Sequence, residues 1–194
     1  MFTYELRLGA GTLHKREGIR AEANTNNALA HIDKAEVICG LWFERFDIDH
    51  LVISPDGVLA VETKWTSWEI ELNADDELLH SFLYCARRSQ NKASKYVRHV
   101  VRSKAEVNAC LVLWGPHVPD TPGGIKLIDG VLVLVGRQWK TWVTLFNQQT
   151  CLVEDERLVI VDAFRDFEAR QLAKGHVHGK GIPSRRARPL LGKA

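Results

Sequence analysis

The sequence predicts an α/β fold, a mixed β-sheet flanked by helices, and three observations predict it. First, residues 46–53 and 58–65 are β-branched, apolar-rich runs on either side of Ser54-Pro55-Asp56-Gly57. Pro presets φ at a turn corner, Asp bonds its own backbone and Gly accepts positive φ, so this is a hairpin with a mechanism. Second, residues 75–104 carry Leu83, Ala86, Ala93, Val97, Val100 and Val101 on one stripe at helical spacing. Third, Val107 to Trp114 reads as a buried strand that follows this helix. The resulting order of helix, strand, hairpin, strand, long helix and strand fits a mixed sheet.

The elements follow in order. Residues 1–14 alternate Phe2, Tyr4, Leu6 and Leu8 with polar residues, the pattern of a short strand. A helical pattern runs from about Arg16 to Ile32, with Glu22 on the same side as Ile19, Asn26 and Leu29. Glu36 to Phe43 reads as a strand leading into the hairpin, and the alternation of Trp68 to Leu72 reads as a further strand. After the Pro/Gly-rich loop 115–124, Ile125 to Val135 gives two short strands joined at Asp129-Gly130. Helical patterns occupy about Trp139–Phe146 and Val153–Lys174. The division is a domain over 1–174 and a basic tail over 175–194, rich in Gly and Pro, that is expected to be disordered.

Composition excludes several classes. No apolar run approaches the ~18 residues of a membrane span, and the N-terminus carries no signal-peptide core, so a cytoplasmic protein is expected. Cys39, Cys85, Cys110 and Cys151 are far apart and form no CxxC pair, which argues against a zinc site or a disulfide framework. The formal charge of +2 hides an asymmetry: residues 1–169 carry −5, and seven Lys/Arg with no acid follow from Arg170 onward.

The chemistry concentrates on the hairpin. Side chains alternate faces along a strand, so Asp49 shares a face with Leu51 and Ile53, while Val58, Ala60, Glu62 and Lys64 share one on the return strand. Pairing Ile53 with Val58 puts Asp49 opposite Glu62, give or take one residue for a bulge. Two carboxylates in that relation repel, and a divalent cation or a shared proton between them reverses the sign. Lys64 supplies a compensating charge. His50 falls on the other strand face and reads as structural. Trp65 and Trp68 are expected to pack rather than to meet a ligand. On the long helix Gln90 sits amid the apolar stripe, where an amide needs a hydrogen-bond partner. Arg87 and Arg98 flank that stripe, better placed for a phosphate backbone than Lys92 and Lys95, which lie on the side opposite Gln90.

Asp49 followed by Glu62-Thr63-Lys64 resembles the Asp…Glu-x-Lys core of the PD-(D/E)XK nuclease superfamily. The longer segment Asp-Ile-Asp-His-Leu-Val-Ile-Ser-Pro-Asp-Gly-Val-Leu-Ala-Val-Glu-Thr-Lys-Trp, residues 47–65, resembles the signature of the nuclease-related domain, NERD. The resemblance covers about residues 16–135 and implies a restriction-endonuclease-like αβββαβ core with C-terminal helices. It also implies metal-dependent phosphodiester hydrolysis, with Asp49, Glu62, the Thr63 carbonyl and Glu22 around Mg2+ or Mn2+, and nucleic acid, DNA first, as partner. Lys64 would orient water or stabilise the phosphate, and Gln90 would position Lys64 or a phosphate. Two places depart from the family pattern: Ala21 stands before Glu22 where Gly is usual, and Arg87-Arg88-Ser89 replaces Asn-Pro before Gln90. The other class open to the sequence is a nuclease-fold module that binds nucleic acid or a protein without cutting.

Overall fold

The structure is a computed structural model that describes residues 3–43, 46–146 and 151–174, with side chains from residue 14 onward except Phe46. The basic tail therefore lies outside the described residues. Among the described residues, α-helices and β-strands follow in the order α1 (Thr3–Leu29), β1 (Glu36–Phe43), β2 (Phe46–Ser54), β3 (Gly57–Trp65), α2 (Glu77–Tyr96), β4 (Val107–Trp114), β5 (Ile125–Ile128), β6 (Val131–Val135), α3 (Trp139–Trp142) and α4 (Glu154–Ala173). The strands form one mixed sheet in the order β1-β2-β3-β4-β6-β5. β1, β2 and β3 pair antiparallel, β3, β4 and β6 are parallel, and β5 returns antiparallel to β6.

The hairpin register is the expected one. Ile53 pairs with Val58 and Ser54 with Gly57, leaving Pro55 and Asp56 as the turn, with Gly57 at φ +133°. The backbone amides of Cys151 and Leu152, just before α4, both donate to the Pro55 carbonyl.

Strand alternation then sorts the core onto two faces. Leu59 and Val61 of β3, with Cys110 and Val112 of β4, pack under Ala28, Leu29 and Ile32 of the α1 region and under Trp142 of α3. Val58 and Ala60 face the other way, onto Ala93, Tyr96 and Val97 of the α2 region and Ile160 and Phe164 of α4. On that side Leu79, Leu83 and Ala86 of α2 also cover Leu111 and Leu113 of β4 and Val131, Val133 and Val135 of β6. Asp76 caps α2, its Oδ1 accepting from the Leu79 amide at 2.8 Å. Among the described residues no helix is long and apolar enough to cross a membrane.

Four expectations about the fold fail. The stretch 1–14 is not a strand, because α1 already begins at Thr3. Ile19, expected on the inward side of α1, is exposed, and the buried stripe is Ala21, Glu22, Thr25, Asn26, Ala28 and Leu29. Trp68 to Leu72 is irregular: Ile70 and Leu72 point inward and Glu71 outward, but no neighbouring strand pairs with them. The alternation is real and the ladder is missing. Trp68, expected to pack, is 69% exposed.

Candidate active site

The ladder between β2 and β3 runs from the turn to His50–Val61 and ends there. One step further the same register sets Asp49 beside Glu62. The strands part at this point, and the Asp49 side chain takes over from the ladder: its Oδ2 accepts the Thr63 amide at 2.8 Å. A buried amide that has lost its strand partner needs another acceptor. A carboxylate in that position is held in one place.

Glu62 and Lys64 project from the face of β3 that α2 covers. Lys64 Nζ lies 2.6 Å from Glu62 Oε1, and Ser89 Oγ of α2 donates to Glu62 Oε2 at 3.1 Å. Asp49, Glu62, Thr63 and Ser89 are buried, and Lys64 is partly exposed. Burial works to discharge the Lys64 ammonium. Glu62, by charge and hydrogen bond, and then Asp49 outweigh it, so the Lys64 pKa lies above the ordinary lysine value. Lys64 is therefore a cation at neutral pH and cannot serve there as a general base.

The end of β3 is locked just beyond this group. The Thr66 amide donates to the Trp114 carbonyl at 2.9 Å. Gly115, at φ +148°, lies so close that a Cβ there would fall 2.0 Å from the Thr66 carbonyl oxygen. Only glycine permits that approach. From α1, Thr25 Oγ1 accepts the Trp114 indole N–H at 2.8 Å, and His14 packs edge-on against Trp65.

Glu22 is buried on α1, on the side that carries Asn26. Asn26 Oδ1 accepts from the Cys39 thiol at 3.2 Å. Burial first, then the carboxylates of Glu168, Asp49 and Glu22, push that thiol up to about 12 against the opposing pull of Arg165. Glu22 and Asp49 are thus both within electrostatic reach of one buried sulfur. Among the described residues no three His, Cys, Asp or Glu side chains converge as a metal site. Glu22 is not brought into one ligand cluster with Asp49 and Glu62.

The other expected residues sit elsewhere. Gln90 Nε2 donates to the Val107 carbonyl at 2.8 Å. Val107 pairs with Val58, six residues before Lys64 on β3, which is about 20 Å along a strand. The backbone partner, not Lys64, is what the amide satisfies, and Ser89 takes the place beside Glu62. Arg87 bonds the Asp129 carbonyl at 2.5 Å, with the Asp129 carboxylate 3.6 Å away in the β5–β6 turn. Arg98 is exposed nine residues beyond Ser89, about 13 Å along the helix axis, in a π-helical turn over Val97–Val101. That turn also carries Val100 off the apolar stripe, leaving it 57% exposed. His50 faces away from this group and is buried, as expected. Ser89 is the residue that sequence reasoning missed. Its one signal was a small hydroxyl beside the buried stripe of an amphipathic helix.

Two buried carboxylates on neighbouring strands, with one ammonium between them and solvent, are hard oxygen donors. Mg2+ and Mn2+ are commonly held by one or two such groups together with water and substrate phosphate. The donor set fits such an ion.

No curated protein and no solved structure matches the chain. The family model of the nuclease-related domain matches residues 17–135, which begin on α1 and end with β6. A six-stranded mixed sheet with flanking helices and a C-terminal helix is consistent with a restriction-endonuclease-like fold. With the Asp49 to Lys64 hairpin and helix α2 inside the matched segment, the chain belongs to the nuclease-related domain family.

Proposed function

We propose that this chain is a divalent-metal-dependent nuclease that hydrolyses phosphodiester bonds, with DNA as the expected substrate. The observation that carries the reading is the Asp49 carboxylate fixed on the Thr63 amide beside the Glu62–Lys64 pair. A group with only a structural task has no need of two buried acids where two strands part.

Asp49 and Glu62 would hold the cation, with the Thr63 carbonyl between them and Glu22 adding negative field from the α1 side. When bound, the ion supplies acidification of water and charge on the phosphate oxygens. The protein's own share is positional. The Thr63 amide keeps Asp49 from swinging out, and Ser89 does the same for Glu62. Lys64, charged at all ordinary pH, moves from Glu62 onto a phosphate oxygen as negative charge develops there. Water adds its oxygen to phosphorus and gives up one proton to solvent, the bond to the departing sugar oxygen breaks, and that oxygen leaves with a proton from solvent.

One observation favours a second reading. Both Glu62 oxygens already have partners, Lys64 and Ser89, as they would in a module that binds nucleic acid without cutting it. The deciding experiment incubates wild type and Asp49→Asn with linear, circular, branched and single-stranded DNA and RNA in Mg2+, Mn2+ or EDTA. Cleavage by wild type that needs the metal and vanishes in Asp49→Asn supports the nuclease. Binding without cleavage under every condition supports the module.

A further inference from the structure

A groove of about 580 Å³ lies between β1, α2 and α4, lined chiefly by Trp42, Phe43, Lys92, Tyr96, Arg170 and Lys174. Its floor is aromatic: the rings of Phe43 and Phe167 stack at 4.8 Å, and Tyr96 lies 5.0 Å from Phe167. The Tyr96 hydroxyl donates to the Ala163 carbonyl at 3.0 Å and accepts from Arg170 at 3.4 Å. Trp42 stands at the rim, 40% exposed, its backbone N–H and C=O both held by the Gln171 amide. Val100, displaced outward by the π-helical turn, completes an apolar lip. Such turns are frequent at functional sites. Among the described residues Lys92, Arg170 and Lys174 are the charged side chains that line the groove.

We propose that this groove binds a single nucleic-acid strand, its phosphates on Lys92, Arg170 and Lys174 and an unpaired base on Trp42. The inference rests on the nuclease-related reading and gives it a track for substrate. Aromatic faces with flanking cations are how unpaired strands are held without regard to sequence. A duplex keeps its base faces stacked and has none to offer Trp42. An apolar peptide would offer no counter-charge to Arg170 and Lys174. The chain's own continuation from Gly175 carries five Lys/Arg and no acid, so it is repelled by this groove. The position is also right. Trp42 pairs with Asp47, two residues before Asp49 on β2, which is about 7 Å along the strand. That spacing is short enough for one bound strand to reach both the groove and the Asp49 carboxylate.

The test uses the full chain in EDTA, so that binding is read without cleavage. Fluorescence anisotropy follows a short labelled oligothymidylate, the matching oligouridylate and a duplex of equal length, with heparin and polyglutamate as competitors. Trp42→Ala lowers affinity for the single strands about tenfold, the scale of one lost stacking contact, while Trp42→Phe keeps most of it. Arg170→Ala with Lys174→Ala reduces the salt slope by about 1.4, for two lost phosphate contacts to a single strand. Circular dichroism confirms that each variant is folded. Binding of either oligonucleotide with this dependence supports the proposal, and the tighter of the two names the preferred sugar.

Unchanged strand affinity in a folded Trp42→Ala overturns the proposal. So does an equal loss for heparin and oligonucleotide, an equal loss for duplex, or displacement by polyglutamate as effective as by nucleic acid. Absence of metal-dependent cleavage with Trp42-dependent strand binding intact overturns the catalytic reading alone. Retained cleavage with no effect of Trp42 overturns the groove alone.

Discussion

β3 and β4 lie side by side in parallel register, with Glu62, Thr63 and Lys64 beside Leu111, Val112 and Leu113. At one level of one sheet, the first strand carries an acid, a hydroxyl and a base, and the second is wholly apolar and buried. The difference lies in what stands on each strand's other side. β4 has β6 there, paired from Cys110 to Leu113, so at this level its backbone is laddered on both sides. β3 has lost β2 by this point, and the parted strands leave the Asp49 carboxylate, not a backbone carbonyl, on the Thr63 amide. Charge is tolerated where the sheet opens. It sits one strand away from a core that would not accept it.

The sharpest way to break this comparison is to neutralise the open side. Glu62→Gln keeps the shape and a bonding partner for Ser89, and removes the charge. Cleavage should fall by at least about a thousandfold, roughly 4 kcal/mol of barrier, with a melting temperature close to wild type. A large loss of stability with it would make the acid structural. Next is Leu111→Ala, directly beside Glu62. It should cost about 2–5 kcal/mol of stability in a denaturant titration, while cleavage per folded molecule stays near wild type. Loss of activity without loss of stability would erase the distinction between the strands.

Lys64→Ala should slow single-turnover cleavage by about a hundredfold, roughly 2.7 kcal/mol, and leave Mn2+ affinity near wild type by calorimetry. The sign of its titration sharpens the point. Because folding raises its pKa, the stabilisation from charged Lys64 is fully present below about 10.5. It is lost only as pH climbs through the folded value. A pH–rate profile should therefore show no limb from Lys64 deprotonation between pH 6 and about 10. A smaller effect belongs to Ser89→Ala, which removes one bond to Glu62 Oε2. It should cost about 0.5–1.5 kcal/mol of stability and change cleavage a few-fold, whereas Gln90→Ala should leave cleavage by the folded protein unchanged.

The hairpin was legible because its turn chemistry fixes the loop length, and the loop fixes which residues face each other. Once Ile53 opposes Val58, alternation carries Asp49 to Glu62 without further information. The covering helix was less legible. Ser89 and Gln90 are adjacent on α2 and both border its buried stripe, and periodicity cannot decide between neighbours when an amide looks the more demanding. The facing of Arg98 was hidden for another reason. A regular helix of 3.6 residues per turn was extended through Val97–Val101, where the π-helical turn rotates everything after it. Lys92 turned out to line a groove because α4, remote in sequence, supplies the opposite wall. Long-range contacts of that kind leave no local pattern.

The Gln171 clamp on Trp42 has a consequence for how much of this chain can stand by itself. β1 is an outer strand, and an outer strand with unmatched amides and carbonyls is a template for pairing with another molecule. Gln171 occupies both groups of Trp42, and Arg165 of the same helix holds Glu36 at the strand's other end. Both residues lie on α4, beyond the segment that the family model matches. A fragment ending at Val135 would keep every residue of the proposed catalytic group and expose this edge, together with the apolar face that Ile160 and Phe164 cover. Such a truncation should aggregate through β1, so the shortest stable unit is expected to be longer than the segment that the family model matches.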